Sequence, residues 1–167
     1  MNGIILYMSK AGSTLEYAGM LSEETGFPIH DINKDRKPDM KGKDTVIIGS
    51  WILAGKMVAH SWITKNWEDL KNKNVILFST SAAEPDFKLK REFLEKSLPE
   101  RIRDEVEFFP LHGSFRKENL NAFYRGMLSL VSKMFKNDEL VKDLESGVNG
   151  VDRKNLDELI QHIGSIN

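Results

Sequence analysis

Short apolar runs recur along the chain, and within them apolar and polar positions do not alternate. They cover residues 4–8, 28–32, 45–48, 75–78 and 106–111. Runs of this length are typical of strands that are buried on both faces, as in a parallel sheet, because a buried helix would need a longer run. The pattern therefore predicts five strands, of which residues 28–32 give the weakest signal.

Segments with helical spacing separate or follow these runs, at residues 14–24, 61–70, 89–98, 119–135 and 155–166. In the first segment the positions predicted to face the core are Leu15, Ala18, Gly19, Leu21 and Ser22. In the second they are Trp62, Ile63, Trp67 and Leu70. Residues 33–43 are charged and form an irregular connection. Strands alternating with helices predict an α/β fold, with a parallel sheet covered by helices on both faces. We expect one domain over residues 1–167.

Composition narrows the functional classes. The 167 residues carry 24 basic and 25 acidic side chains, a net charge of -1 that argues against a nucleic-acid partner. The chain has no cysteine, so disulfides, zinc–thiolate sites and iron–sulfur clusters are excluded. Neither a signal peptide nor an uncharged run long enough to span a bilayer is apparent, which leads us to expect a cytoplasmic protein without a transmembrane segment.

The loop after the first strand is a candidate phosphate site. It reads Ser9, Lys10, Ala11, Gly12, Ser13 and Thr14, after which a helix is predicted. Gly12 lets the backbone approach a ligand closely, the hydroxyls are potential donors, and a helix N-terminus offers free N–H groups to an anion. An equally weighted alternative is an ordinary helix start capped by Ser13 or Thr14. The single glycine matches neither the nucleoside-triphosphate loop nor the dinucleotide-binding loop.

At this point the sequence resembles the flavodoxin-like family. The pattern Ser9-x-x-Gly12-x-Thr14 after the first strand is similar to the FMN phosphate loop of flavodoxins. Residues 46–55 resemble the segment that carries the second flavin-binding loop, in the branch that includes menaquinone-dependent protoporphyrinogen oxidase. Residues 113–116 and the segment after them resemble the same branch. The resemblance extends from Ile4 to about Phe135 and implies a three-layer sandwich with a five-stranded parallel sheet in the order 2-1-3-4-5.

The resemblance also implies a cofactor, non-covalently bound FMN, and the residues that hold it. The phosphate would be held by Ser9, Lys10, Ala11, Gly12, Ser13 and Thr14, and the flavin ring by Ser50, Trp51, Ile52, Leu53, Ala54, Gly55, Ser79, Thr80, Ser81, Ala82 and Ala83. Trp51 either flanks the ring or packs under a neighbouring helix. The catalytic residues stay unassigned, and the dispersed histidines predict no metal site.

Three functions remain open. The first is electron transfer through the bound flavin, with a redox partner protein. The second is an FMN-dependent oxidoreductase of the protoporphyrinogen oxidase type, acting on a quinone-like or porphyrinogen-like small molecule. The third is a flavodoxin-like domain that has lost its cofactor, an alternative that rests on Ala11, which stands where typical flavodoxins have threonine. The net charge of -1 also separates this chain from the strongly acidic electron-carrier flavodoxins.

Overall fold

The computed structural model describes residues 1–9, 12–115 and 148–166. Its first half contains β1 (Gly3–Met8), α1 (Ser13–Thr25), β2 (Ile29–Asp31), β3 (Thr45–Leu53), β4 (Lys56–Met57), α2 (His60–Lys65) and α3 (Trp67–Leu70). Its second half contains β5 (Asn74–Ser81), α4 (Phe87–Ser97), α5 (Glu100–Arg103), β6 (Glu107–His112), β7 (Ser114–Phe115), β8 (Val148–Asn149), a 3-10 turn (Arg153–Leu156) and α6 (Asp157–Ser165).

The main sheet has the order β2-β1-β3-β5-β6, and these five strands are parallel. In chain order the five apolar runs therefore take the positions 2-1-3-4-5, which confirms the predicted fold. The short strand β4 adds an antiparallel pair to the end of β3, through the pairs Ile52 with Met57 and Leu53 with Lys56. The predicted irregular connection at residues 33–43 contains no helix or strand.

Alternate side chains of each strand enter two separate cores. On one face Leu6, Ile48 and Leu77 pack with α2, α3, α4 and α5. On the other face Ile5 and Ile47 pack with α1 and α6. Because neither face of the central strands meets water in their middle parts, residues 46–48 and 75–78 are apolar at successive positions, and this is why runs without alternation predicted a parallel sheet.

The buried face of α1 differs from the predicted one. Leu15 is 41% exposed, whereas Thr14, Tyr17, Ala18 and Leu21 are buried. These buried positions follow the i, i+3, i+4, i+7 spacing of a helix face, so the prediction is confirmed for Ala18 and Leu21 and was wrong for Leu15. Gly26 ends α1 as predicted, with φ +71° and its N–H bonded to the carbonyl of Ser22 at 2.8 Å.

The predicted helix at residues 61–70 is interrupted at Asn66. The Asn66 side-chain amide donates to the carbonyl of Trp62 at 2.8 Å, beside the backbone bond to the same oxygen. A side chain that bonds the local backbone in this way competes with helix continuation. The core face survives the break, because Trp62, Ile63 and Leu70 are all buried.

The strands β7 and β8 form a separate antiparallel pair, in which Ser114 is opposite Asn149. The predicted helix at residues 119–135 lies outside the described residues. Residues 114–115 and 148–149 are paired directly after the end of β6.

Candidate functional site

The order in which the chain adds strands to the sheet reverses between β1 and β3. From β1 the chain continues to β2 on one side, and from β3 it continues to β5 on the other. Helices therefore leave the carboxyl ends of these two strands on opposite faces and open a crevice between them, where open α/β sheets bind ligands. The segments that line this crevice are the ones singled out from the sequence.

The loop after β1 has the backbone geometry of an anion site. Gly12 has φ +102°, which is strained for any residue with a side chain, and an ideal Cβ placed on it meets no atom of the described residues within 4 Å. The first hydrogen bond of α1 runs from the N–H of Glu16 to the carbonyl of Gly12 at 2.9 Å. The amides of Ser13, Thr14 and Leu15 precede that bond and lie at the positive end of the helix dipole.

The hydroxyls of this loop have different roles. Ser9 Oγ accepts from the N–H of Gly12 at 3.3 Å, so its own proton remains free to donate. Ser13 Oγ donates to the carbonyl of Ser114 at 3.1 Å and accepts from the N–H of Ser114 at 2.9 Å. Thr14 Oγ1 lies 2.9 Å from Thr80 Oγ1. Neither Ser13 nor Thr14 caps α1, because Gly12 occupies the cap position. The other two loop residues, Lys10 and Ala11, lie outside the described residues.

The second predicted loop is largely strand. Ser50, Trp51, Ile52 and Leu53 continue β3, and the chain reverses only at Ala54 and Gly55 to pair as β4. The interpretation of residues 50–53 as a loop was therefore wrong. A two-residue hairpin turn of type I′ needs positive φ at both central positions, and Ala54 (φ +50°) and Gly55 (φ +78°) have it. Strand pairing thus extends further than the apolar run because the hairpin adds its own hydrogen bonds.

Ala54 stores strain at the tip of this hairpin, which a substitution can release. We expect Ala54→Gly to raise the free energy of unfolding by about 1 kcal/mol, because alanine is disfavoured at positive φ and glycine is not. Chemical denaturation measures the difference. Ala83→Gly is the matched control, since Ala83 is not among the positive-φ residues, and there we expect a loss. Equal changes in both variants would contradict the strain at Ala54.

The side chains at the end of β3 point to opposite faces. Ser50 is fully buried, and its hydroxyl accepts from the N–H of Ala59 at 3.0 Å and donates to the carbonyl of Trp51 at 3.2 Å. The Ser50 side chain therefore holds the hairpin together. Trp51 is half-buried and lies opposite Thr80 in the register, on the face that α1 covers.

The third predicted loop also begins inside a strand. Ser79, Thr80 and Ser81 belong to β5, so the loop interpretation was wrong for them, and only Ala82 and Ala83 follow the strand. Ser79 is 1% exposed, and among the described residues its Oγ has no hydrogen-bond partner. Ser81 Oγ donates to the carbonyl of Ala83 at 3.0 Å, which shapes the turn that follows.

A buried tyrosine beneath the site was missed from the sequence. The Tyr17 hydroxyl donates to the carbonyl of His112 at 2.6 Å and accepts from the side-chain amide of Asn155 at 2.7 Å and from the N–H of Asp152 at 3.3 Å. Burial raises the pKa of Tyr17, so the hydroxyl stays protonated and can donate. The i, i+3, i+4, i+7 spacing of residues 14, 17, 18 and 21 is the sequence signal that marks Tyr17 as inward-facing.

Metal-ligating side chains do not converge in the part of the chain that the structure describes, where no group of three or more histidine, aspartate or glutamate residues could hold an ion. His112 Nε2 lies 3.2 Å from the carbonyl of Ala82 and so helps to fix the turn that follows β5. Across residues 1–9, 12–115 and 148–166, no helix has the length and apolarity needed to cross a membrane.

Comparison with known proteins agrees with this geometry. A family model of the flavodoxin domain matches residues 4–141. The chain belongs to the flavodoxin-domain family. A solved structure that the fold resembles is a candidate flavoprotein from Bacteroides eggerthii, with a TM-score of 0.50 and 16% identity over 78% of this chain and 98% of that one.

Other solved flavodoxin-domain structures are similar at lower scores. A flavoprotein in complex with FMN from Lactobacillus acidophilus has a TM-score of 0.47 and 18% identity, over 66% of this chain and 91% of that one. A WrbA-like flavodoxin from Agrobacterium tumefaciens has a TM-score of 0.48 and 17% identity, over 64% and 74%. The comparison with curated proteins gave no match.

Proposed function

We propose that this flavodoxin-domain protein binds FMN non-covalently and transfers electrons through it. The observation that carries the proposal is Gly12, which has φ +102° and open surroundings among the described residues and stands at the start of α1, directly after the carboxyl end of β1. This is where a flavodoxin-like sheet places its phosphate-bearing ligand. The open space above Gly12 and the donor set around it fit a phosphate monoester.

The phosphate would be bound chiefly by backbone amides. Ser13 contributes its N–H alone, because both hydrogen-bonding functions of its hydroxyl are taken by Ser114. Ser9 retains a hydroxyl proton for the anion. The missing hydroxyl at Ala11 therefore removes one of several donors, which is why cofactor loss is the less favoured alternative.

The flavin ring would lie between the β3–β4 hairpin and the end of β5. The hairpin offers Trp51 as an aromatic surface and the turn at Ala54 and Gly55 as backbone groups. Across the crevice, Ala82 and Ala83 are small enough for main-chain groups to reach the polar edge of the ring. FMN, when bound, supplies the electron chemistry, since a chain without cysteine has no thiol or iron–sulfur centre of its own.

The partner of such a carrier is a redox protein, and we place the exchange in the cytoplasm. The net charge of -1 gives weak long-range steering, so we expect the association rate with that partner to depend little on ionic strength. This property distinguishes the chain from strongly acidic carriers.

Flavin binding is tested by absorbance and fluorescence. We expect purified protein, as isolated or after addition of FMN, to show the visible absorption of oxidised flavin and to quench FMN fluorescence. Riboflavin is the matched control, because it has the same ring without the phosphate, and its affinity should be at least about tenfold lower. Protein that stays colourless and quenches neither compound would overturn the proposal in favour of a domain without cofactor.

A flavin-dependent oxidase of the protoporphyrinogen type is the competing function, favoured by the loop resemblance at residues 46–55 and 113–116. Anaerobic mixing separates the two. We expect the FMN-loaded protein to be reduced by a reductase protein and not by a porphyrinogen. Rapid reduction of the bound flavin by a porphyrinogen would instead establish the oxidase.

A further inference from the structure

Two buried threonine hydroxyls meet below the first turn of α1. Thr14 Oγ1 and Thr80 Oγ1 are 2.9 Å apart, and the two residues are 1% and 4% exposed. Only one proton can lie between the two oxygens. The other hydroxyl proton must therefore point elsewhere, and in a buried setting it needs an acceptor of its own.

The neighbouring hydroxyl of Ser13 cannot take part. Its proton goes to the carbonyl of Ser114, and it already accepts from the N–H of the same residue. Gly113 lies close to both side chains, because an ideal Cβ there would lie 3.3 Å from Thr80 Cβ and 3.5 Å from Ser13 Oγ. Thr14 is thus the first-turn residue whose hydroxyl can still be turned toward a ligand.

The direction of the threonine bond depends on what occupies the loop. If Thr14 donates to Thr80, no proton of Thr14 is left for an anion. If Thr80 donates to Thr14, the Thr14 proton is released toward the helix N-terminus. A hydrogen bond to a phosphate is charge-assisted and stronger than one between neutral hydroxyls, so a bound anion favours the second arrangement. Donation by Thr80 also polarises the Thr14 hydroxyl and strengthens its bond to the anion.

We propose that Thr80 is a positioning residue for the phosphate group: it donates to Thr14 Oγ1 and so directs the Thr14 hydroxyl proton to the anion at the N-terminus of α1. The inference rests on the proposed function, and it changes the role expected for Thr80. The sequence interpretation placed Thr80 at the flavin ring, whereas the structure turns its hydroxyl under α1.

The test compares FMN with riboflavin in titrations of apoprotein. We expect Thr80→Val to weaken FMN binding about five- to tenfold and to change riboflavin binding less than twofold, because riboflavin has no phosphate. Thr80→Ser keeps the hydroxyl and should restore FMN binding to within about twofold of the wild type. In a Thr14→Val background, Thr80→Val should add less than twofold, because Thr80 acts through Thr14.

Thr25→Val is the matched control for stability. Thr25 lies at the other end of α1, and its hydroxyl likewise bonds the protein, donating to the carbonyl of Leu21 at 2.7 Å. This variant should leave the ratio of FMN to riboflavin affinity unchanged. An equal loss of FMN and riboflavin binding in Thr80→Val, or independent effects of Thr14→Val and Thr80→Val, would overturn the inference.

Inorganic phosphate separates this inference from the proposed function. If the wild type binds phosphate but no flavin, the flavin proposal fails, and the Thr80 inference stands if Thr80→Val weakens phosphate binding and Thr80→Ser does not. If the wild type binds neither FMN nor phosphate, both are overturned.

Discussion

Gly12→Asp is expected to abolish measurable FMN binding while Gly12→Asn retains part of it. The two side chains have nearly the same shape, and both tolerate positive φ better than other residues, so the backbone strain at φ +102° is shared. They differ in one negative charge at the place proposed for the phosphate. Repulsion between that charge and a phosphate of about two negative charges costs roughly 2–3 kcal/mol, which is about a 30- to 150-fold difference in Kd between the variants.

The stability of the same two variants should change in the opposite direction. A carboxylate at the N-terminus of a helix is favourable by about 0.3–1 kcal/mol, so Gly12→Asp should unfold at the same or higher denaturant concentration than Gly12→Asn. Fluorescence titration with FMN and with riboflavin, together with denaturation, measures both effects. Riboflavin should bind the two variants alike. If Gly12→Asp and Gly12→Asn bind FMN equally, the phosphate does not lie at the N-terminus of α1.

The positions of the strands could be predicted because strands that are buried on both faces have short apolar runs without alternation. Residues 46–48 and 75–78 are apolar throughout, and both segments belong to central strands. Their ends could not be predicted in the same way. β3 continues through Ser50 and Trp51 because β5 and the β3–β4 hairpin supply backbone partners there, and backbone pairing leaves no hydrophobic pattern.

The candidate site was predicted at the level of segments and not of atoms. Gly12 could be chosen because a glycine before a helix lets the backbone approach a ligand, although the same position also suits an ordinary helix cap. The partners of the hydroxyls could not, since Ser13 bonds Ser114 and Thr14 bonds Thr80, and both contacts join residues far apart in the chain. The Ser13 hydroxyl is thus committed to Ser114, and the direction of the Thr14 hydroxyl depends on Thr80, neither of which the sequence shows.

The missed residue Tyr17 is expected to have the largest effect on stability. Its hydroxyl joins three separate parts of the chain, because it bonds His112 at the end of β6 and both Asp152 and Asn155 before α6. Tyr17→Phe removes these bonds from a fully buried side chain and leaves the carbonyl of His112 and the N–H of Asp152 without that partner. We expect a loss of about 2–3 kcal/mol of unfolding free energy, and a fall in Tm of roughly 5–10 °C.

Tyr7→Phe is the natural control for this variant. Tyr7 is also largely buried, and its pKa is raised by burial and by the carboxylate of Asp31, so its hydroxyl faces a single charged neighbour. We expect its removal to cost less than about 1 kcal/mol. Because the Tyr17 hydroxyl bonds His112, Asp152 and Asn155, none of which belongs to the proposed phosphate site, Tyr17→Phe should leave the ratio of FMN to riboflavin affinity as in the wild type. Unfolding of Tyr17→Phe at the wild-type midpoint would show that the hydroxyl bonds add little and that apolar burial, including that of Leu159 and Ile163, holds α6 on this core.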